Sequence, residues 1–237
     1  PVGAGPFLQQ QVAGSAEWVL HLDVERLKHT RFGVLLQGDR APAQFRESVA
    51  LCEQDLGFNP LRDLDHLTLY GETAWGQDGA ALLQGKLNSP RILDHLRKNA
   101  SYQQIPAGKR VFHQWTTPQE QTVMTLCVYS KALLVVSASQ PVLEAALDVL
   151  DGKTPSLRAS GMPPMPATGG FLTGVMAKGV PALPVGRVDS ATIALQESAV
   201  GSVRLELGLN AKDEQEATKL QQATQFLVLS ALATADQ

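Results

Sequence analysis

The side chains in this chain best suited to chemistry are three histidines on three separate apolar stretches, His21, His66 and His113. If His21 and His113 approached one another, with His66 or Asp23 beside them, they would offer the imidazole and carboxylate ligands that zinc or another imidazole-preferring metal takes. Histidines scattered over separate strands also arise on a polar sheet face that is solvated or covered by a partner. Their spacing includes no short metal-ligand motif, so the pattern assigns no metal. Cys127 and His113 would form a nucleophile and base only if strand register brought them together, and packing is the simpler use of Cys127. Glu72 and Glu197 occupy matched positions near two hairpins and could be read as paired carboxylates. Their duplicated position has a simpler explanation, that both are polar residues at a hairpin turn. Ser160-Gly161 lies in a Pro-rich stretch without the strand-turn-helix setting of a nucleophile elbow. Gly169-Gly170 leads into a strand, so no helix N-terminus is offered to a phosphate. No catalytic residue and no cofactor are assigned.

The elements that must position these residues follow from local patterns. Trp18 to Leu22 alternates as a strand, with His21 and Asp23 on the face opposite Leu20 and Leu22. Asp23 can cap a short helix through Leu27, and Thr30 a second through Leu36. Pro42 to Leu56 reads as a helix with the stripe Phe45, Val49, Cys52 and Leu56, ended by Gly57. His66 to Tyr70 is a strand whose His66, Thr68 and Tyr70 share a face, and Gln84 and Lys86 of the next strand join it. Ser89 and Pro90 start the following helix. Lys109 to Trp115, Thr122 to Tyr129 and Ala132 to Ala138 are strands, and Ser139 starts a helix that Gly152 closes. After a Pro/Gly-rich stretch come a strand from Phe171 to Ala177 and a hairpin of Ala191–Ser198 with Ser202–Leu209. The hairpin's second strand alternates, with Val203, Leu205, Leu207 and Leu209 expected inward and Arg204, Glu206 and Asn210 outward. A last helix is expected from Asp213 to about Ala233.

A hairpin followed by a helix recurs three times. Gly79, Leu87 and Asn88 fall on Gly201, Leu209 and Asn210 at one offset, and Ala132-Leu133-Leu134 with Pro141 falls on Ala81-Leu82-Leu83 with Pro90. The expected fold is α+β: duplicated ferredoxin-like (split β-α-β) units, with antiparallel sheets and helices packed on one face. In that order the first and last strands are neighbours, which is what would bring His113 to His21. The expected organisation is an irregular stub at 1–14, a first unit with an extra hairpin-helix at 15–152, a linker at 153–170, and a second, incomplete unit at 171–237 packed on the first.

Composition narrows the function classes. The 237 residues are 44% hydrophobic and 18% charged, with a net charge of −3. This suits a globular protein with a sizeable core and, lacking a Lys/Arg cluster, disfavours nucleic acid as a partner. No apolar run reaches the roughly 20 residues of a membrane helix. Cys52 and Cys127 lie on apolar stretches and read as two free thiols, a single disulfide being open to an exported chain. The polar, Gly- and Gln-rich start looks like a stub left by removal of an upstream segment such as a secretory signal.

Trp18-Val19-Leu20-His21-Leu22-Asp23-Val24, Phe32-Gly33, Leu56-Gly57-Phe58-Asn59-Pro60, Asp63-Leu64, Leu67-Thr68-Leu69-Tyr70-Gly71 and Ala146-Leu147-Asp148-Val149-Leu150-Asp151-Gly152 together resemble a group of exported bacterial proteins of unknown function. The resemblance implies export to the periplasm or cell envelope and a duplicated hairpin-helix architecture, and it carries over no catalytic residue. The expected role is a non-enzymatic one, in which an open sheet face or the hairpin tips dock another protein. Trp75, Tyr70, His21 and Lys86 are the candidate contact residues. A small ligand or metal in the cleft between the two units is the alternative.

Overall fold

The computed structural model describes residues 9–73, 78–118, 121–157, 170–177, 188–198, 201–219 and 221. The first strand, β1 (Trp18–Asp23), runs into two short helices, α1 (Val24–Lys28) and α2 (Arg31–Gln37). Each begins where a side-chain oxygen accepts a free helix N–H: Asp23 accepts from Arg26 N and Thr30 from Gly33 N. α3 (Ala43–Leu56) ends on Gly57, whose φ of 70° is the left-handed conformation that a glycine takes at a helix C-terminus. Phe45, Val49, Cys52 and Leu56 form its inner stripe as expected, but all four are only half-buried. α4 (Pro60–Asp63) leads into β2 (Leu64–Gly71) and β3 (Gly79–Gly85).

The cap of α5 (Ser89–Leu96) is Asn88, which accepts from Arg91 N; the expected cap, Ser89, is the first helical residue. β4 (Gln103–Ala107) is polar, contains Pro106 and has no alternation to announce it. β5 (Arg110–Thr116), β6 (Val123–Ser130) and β7 (Leu133–Ser137) complete a meander, followed by α6 (Gln140–Leu150). β8 (Leu172–Met176), β9 (Val188–Glu197) and β10 (Val203–Ala211) follow, and the chain is helical again at 214–219. The interiors of the expected linker (158–169) and crossover (178–187), the first hairpin tip with Trp75, and most of the expected last helix lie outside the described residues.

All ten strands among the described residues join one antiparallel sheet in the order β10-β9-β8-β1-β2-β3-β7-β6-β5-β4. The order differs from the split β-α-β expectation. In that arrangement β1 would lie between the third strand and the last; here it lies between β2 and β8. The long α1–α4 segment returns the chain directly to the neighbouring edge of β1, so β1, β2 and β3 run as a meander, as do β8, β9 and β10.

The helices also pack on both faces, not on one. Leu133 and Val135 of β7 pack with Leu143, Ala146 and Leu147 of α6, whereas Leu134 and Val136 pack with Ile92 and Leu96 of α5. Successive strand residues point to opposite faces, so these are the two sides of one strand. An all-apolar strand such as β7 is what double coverage requires. The N-terminal residues extend the α6 side. Val12 is fully buried, Gly14 N donates to Pro155 O and Leu157 N donates to Val12 O. The segment read as an irregular stub is therefore tied into the core from its described start.

The β1–β8 seam is tight. Leu20 faces Gly174, which faces Ile193. A Cβ on Gly174 would stand 2.8 Å from Ile193 Cγ2 and 3.0 Å from Leu20 Cδ1. Gly174→Val should therefore cost about 1–3 kcal/mol in urea unfolding through overpacking. Leu143→Ala and Leu96→Ala should each cost about 3 kcal/mol, because each empties a filled site on one face. If one of the two were neutral, the two-sided core would be wrong.

Candidate functional site

β1 and β2 bring two of the three histidines together. Asp23 pairs with His66 and His21 with Thr68 across the strands, so all four side chains share the α6 face. The imidazoles of His21 and His66 stack with centroids 5.4 Å apart and planes 24° apart. His21 Nδ1 lies 2.9 Å from Thr68 Oγ1. On the other side of β1, Thr173 stands opposite His21. His21, His66, Thr68 and Thr173 are each only 8% exposed and form a buried polar group in the sheet. Nothing in the Phe171–Ala177 pattern marked Thr173 as its fourth member, because strand neighbours far apart in sequence leave no local signal.

The group does not form the metal or nucleophilic site that its residue types suggest. Among the described residues, no three His, Cys, Asp or Glu side chains gather as metal ligands. Asp23 is already engaged as the cap of α1, and its Oδ1 is 3.9 Å from His66 Nδ1, too far for a hydrogen bond. His66 Nδ1 is buried without a hydrogen-bond partner among the described residues. Thr68 and His21 have the spacing of a nucleophile and base, but burial, reinforced by His66 and opposed by Asp23, pushes His21 down to about 4. So low a value makes His21 a weak base at neutral pH.

The other candidates are dispersed. β2, β3, β7 and β6 separate His113 on β5 from β1. His113 also lies on the α5 face, opposite Leu126 of the α5-side core, where Tyr102 OH is 2.8 Å from its Nδ1. Cys127 faces α6, so the strand itself separates it from His113. Cys52 and Cys127 are not joined in a disulfide, and burial raises Cys127 above the usual thiol range. Glu72 follows the β2 end that pairs with Trp18, whereas Glu197 closes β9 near the opposite end of β1. Glu72 accepts from Ser15 Oγ, and Glu197 from Arg31 N at 2.7 Å. They cannot act on one substrate.

Of the candidate contact residues, Tyr70 and His21 are buried, Lys86 is exposed just beyond β3, and Trp75 lies outside the described residues. Burial raises the Tyr70 phenol, and its hydroxyl has no hydrogen-bond partner among the described residues. An open groove of about 1090 Å³ lies on the α5 side, lined by Arg97, Lys109, Arg110, Tyr129 and Lys153 among others. Its cations are largely neutralised: Arg110 and Lys153 both pair with Asp151, at 2.5 and 3.1 Å, and Arg97 pairs with Asp94 at 2.6 Å. It is a poor anion site for that reason.

Exposed apolar side chains lie elsewhere, on α2 (Phe32, Val34 and Leu35) and on β10. Val203, Leu205 and Leu207 of the edge strand β10 are 43%, 59% and 58% exposed. Their alternation was legible, but the inward direction expected of them was not met. Among the described residues β10 has only β9 as a strand neighbour, and no helix makes a substantial contact with it.

No protein-family model and no curated protein matches the chain. Among solved structures, crystal form IV of TP0453 is similar over 85% of this chain and 79% of that one, with 9% identity and a TM-score of 0.50. Crystal form I of TP0453 matches over 93% and 83%, with 10% identity and a TM-score of 0.47. At such identity the likeness concerns the fold alone.

His21 makes stability depend on pH. Its folded pKa of about 4 lies below the unfolded value of 6.5, so the unfolded chain binds the proton more readily between those values. The stabilisation is fully present above 6.5 and is lost as pH falls towards 4, amounting to roughly 3 kcal/mol over the window. His21→Gln, which keeps a polar side chain opposite Thr68, should flatten the pH dependence of the urea midpoint between pH 6.5 and 4. An unchanged slope would remove the assignment to His21.

Proposed function

We propose that this chain is a non-enzymatic interaction protein whose contact surface is the outer apolar side of β10. The observation that carries this is the exposure of Val203, Leu205 and Leu207 in a row on one side of an edge strand. Isolated exposed apolar residues are ordinary, but a contiguous apolar row on a free edge marks an association surface. The non-enzymatic character is supported by the fate of the reactive side chains: the histidine pair is buried, the glutamates are far apart, and three of the groove's cations, Arg97, Arg110 and Lys153, are paired with aspartates.

The proposed setting is the bacterial cell envelope, after export. Its support is the resemblance carried by the β1 motif, the Leu56–Pro60 turn and the α6 end. The proposed origin is duplication, with β1-β2-β3 and β8-β9-β10 as copies. Two features support it: the meanders meet through their first strands, with Leu20 and Gly174 at the centre of the seam, and the Gly79, Leu87, Asn88 pattern recurs at Gly201, Leu209 and Asn210.

Photo-cross-linking tests the surface in cells that express the full-length protein. A benzophenone side chain at position 207 should give adducts of discrete mass in the envelope fraction, and Leu205→Lys should abolish them. The same group at exposed Val34 on α2 should give none of these adducts. If position 207 yields no discrete adduct, β10 is not the contact surface; if the protein remains in the cytoplasmic fraction, the envelope setting is wrong.

A further inference from the structure

The two edges of the sheet are built differently. β4 at one edge has five residues, Gln103–Ala107, and contains Pro106, which lacks the N–H an added strand would need. A short strand with a proline is a common protection against edge-to-edge pairing. β10 at the other edge has nine residues, Val203–Ala211, with no proline, and its one irregularity falls at Asn210/Ala211, beyond the apolar row. On the side opposite the leucines it carries Arg204 and Glu206.

We infer that the partner of β10 is β10 of a second copy of this chain, paired antiparallel about a two-fold axis through Leu205. This rests on the interaction surface proposed above and names its occupant. The register follows from charge. With both apolar rows on the same side of the joined sheet, only residues of equal parity can stand opposite one another. Centring on Leu205 sets Arg204 opposite the partner's Glu206 and Glu206 opposite the partner's Arg204, giving two opposed ion pairs. Centring one residue later sets Glu206 against itself, and one residue earlier sets Arg204 against itself. Like charges directly opposite destabilise a strand pair and unlike charges stabilise it. On the other face the same register sets Leu205 against Leu205 and Val203 against Leu207 twice, which doubles each apolar row into one continuous patch. Two-fold self-complementarity of this kind is what an isologous interface requires.

Within one chain Arg204 Nε already lies 3.2 Å from Glu206 Oε1, and Gln196 Nε2 donates to the same carboxylate oxygen at 2.9 Å. Both charged side chains are therefore held on the polar face, where the partner's would meet them. Arg204 is 68% exposed and Glu206 37% at the side chain, so each retains surface for a second contact.

The test uses complementation between two charge variants. Arg204→Glu leaves two glutamates per strand, and Glu206→Arg leaves two arginines. Light scattering coupled to size exclusion should show the wild-type chain as a concentration-dependent dimer. Each variant alone should dissociate with about a tenfold or greater increase in Kd. An equimolar mixture of the two, one enlarged by a fused tag, should form the mixed dimer, because every opposed pair is then unlike. An intrachain role for the Arg204–Glu206 contact predicts no rescue in the mixture. Circular dichroism of each variant confirms that the sheet is intact. A wild-type chain that stays monomeric at all concentrations overturns the inference, as does a variant that dimerises unchanged or a mixture that does not associate. Cross-linking from position 207 to a different protein would overturn self-pairing and leave the interaction surface standing, whereas no cross-link at all would remove both.

Discussion

The backbone ladder between β1 and β8 is the contact on which the rest of the molecule depends. Five residue pairs, Trp18 with Met176 through Leu22 with Leu172, join the residues after 170 to the sheet formed before them. Without that ladder both long strands of the last meander would lose their route into the sheet, since β9 reaches it only through β8. The seam is narrow because it has to be. Leu20 and Ile193 converge on Gly174 from either side, and no side chain fits between them. Close approach at a glycine substitutes packing of the neighbours' methyl groups for a side chain of its own.

The same seam explains the histidines. His21 is the residue of β1 flanked by a threonine on each side, Thr68 of β2 and Thr173 of β8. A buried imidazole next to a hydroxyl can be satisfied as a neutral group, but burial penalises the charged form and no well-placed carboxylate offsets the cost. Asp23, the nearest carboxylate, is turned towards the first turn of α1. Helix capping and a role in histidine chemistry compete for that side chain, and capping prevails. The polar cluster is thus a part of the core tied to one protonation state, and its free energy is spent on the fold.

How much of this was legible in the chain depends on how local each feature is. The Asp23 and Thr30 caps and the Gly57 terminus are set by side chains within three or four residues of the groups they serve, so their positions could be read directly. The hairpins of β6 with β7 and β9 with β10 were likewise legible from apolar runs around short turns. The neighbours of β1 were not. Whether β1 lies beside β2 or β3 is decided by how α1 to α4 return the chain, and hydrophobic alternation is identical in either order. His113 shows the consequence: its strand was correctly read, but the wrong sheet order placed it beside His21, when it lies on the far face with four strands intervening. β4 was missed because Gln103-Gln104-Ile105-Pro106-Ala107 has neither alternation nor β-branched residues beyond Ile105; it is a strand because β5 gives it a ladder.

β10 shows why alternation alone cannot say which way is in. Val203, Leu205 and Leu207 fall on one face and Arg204 and Glu206 on the other, a pattern that suits a strand under a helix and a strand at an interface equally. The two situations differ in what happens to the backbone. A helix laid over the face buries side chains but leaves the outer N–H and C=O groups of an edge strand to water. Only another strand both pairs those groups and extends the apolar face beyond its own width. Pro106 blocks pairing on β4 through the backbone, whereas β10, whose charges Arg204 and Glu206 are of opposite sign, has no such backbone device before Asn210. The asymmetry therefore lies in the backbone chemistry of the two edges more than in their hydrophobicity, and it points β10 towards strand addition over simple burial.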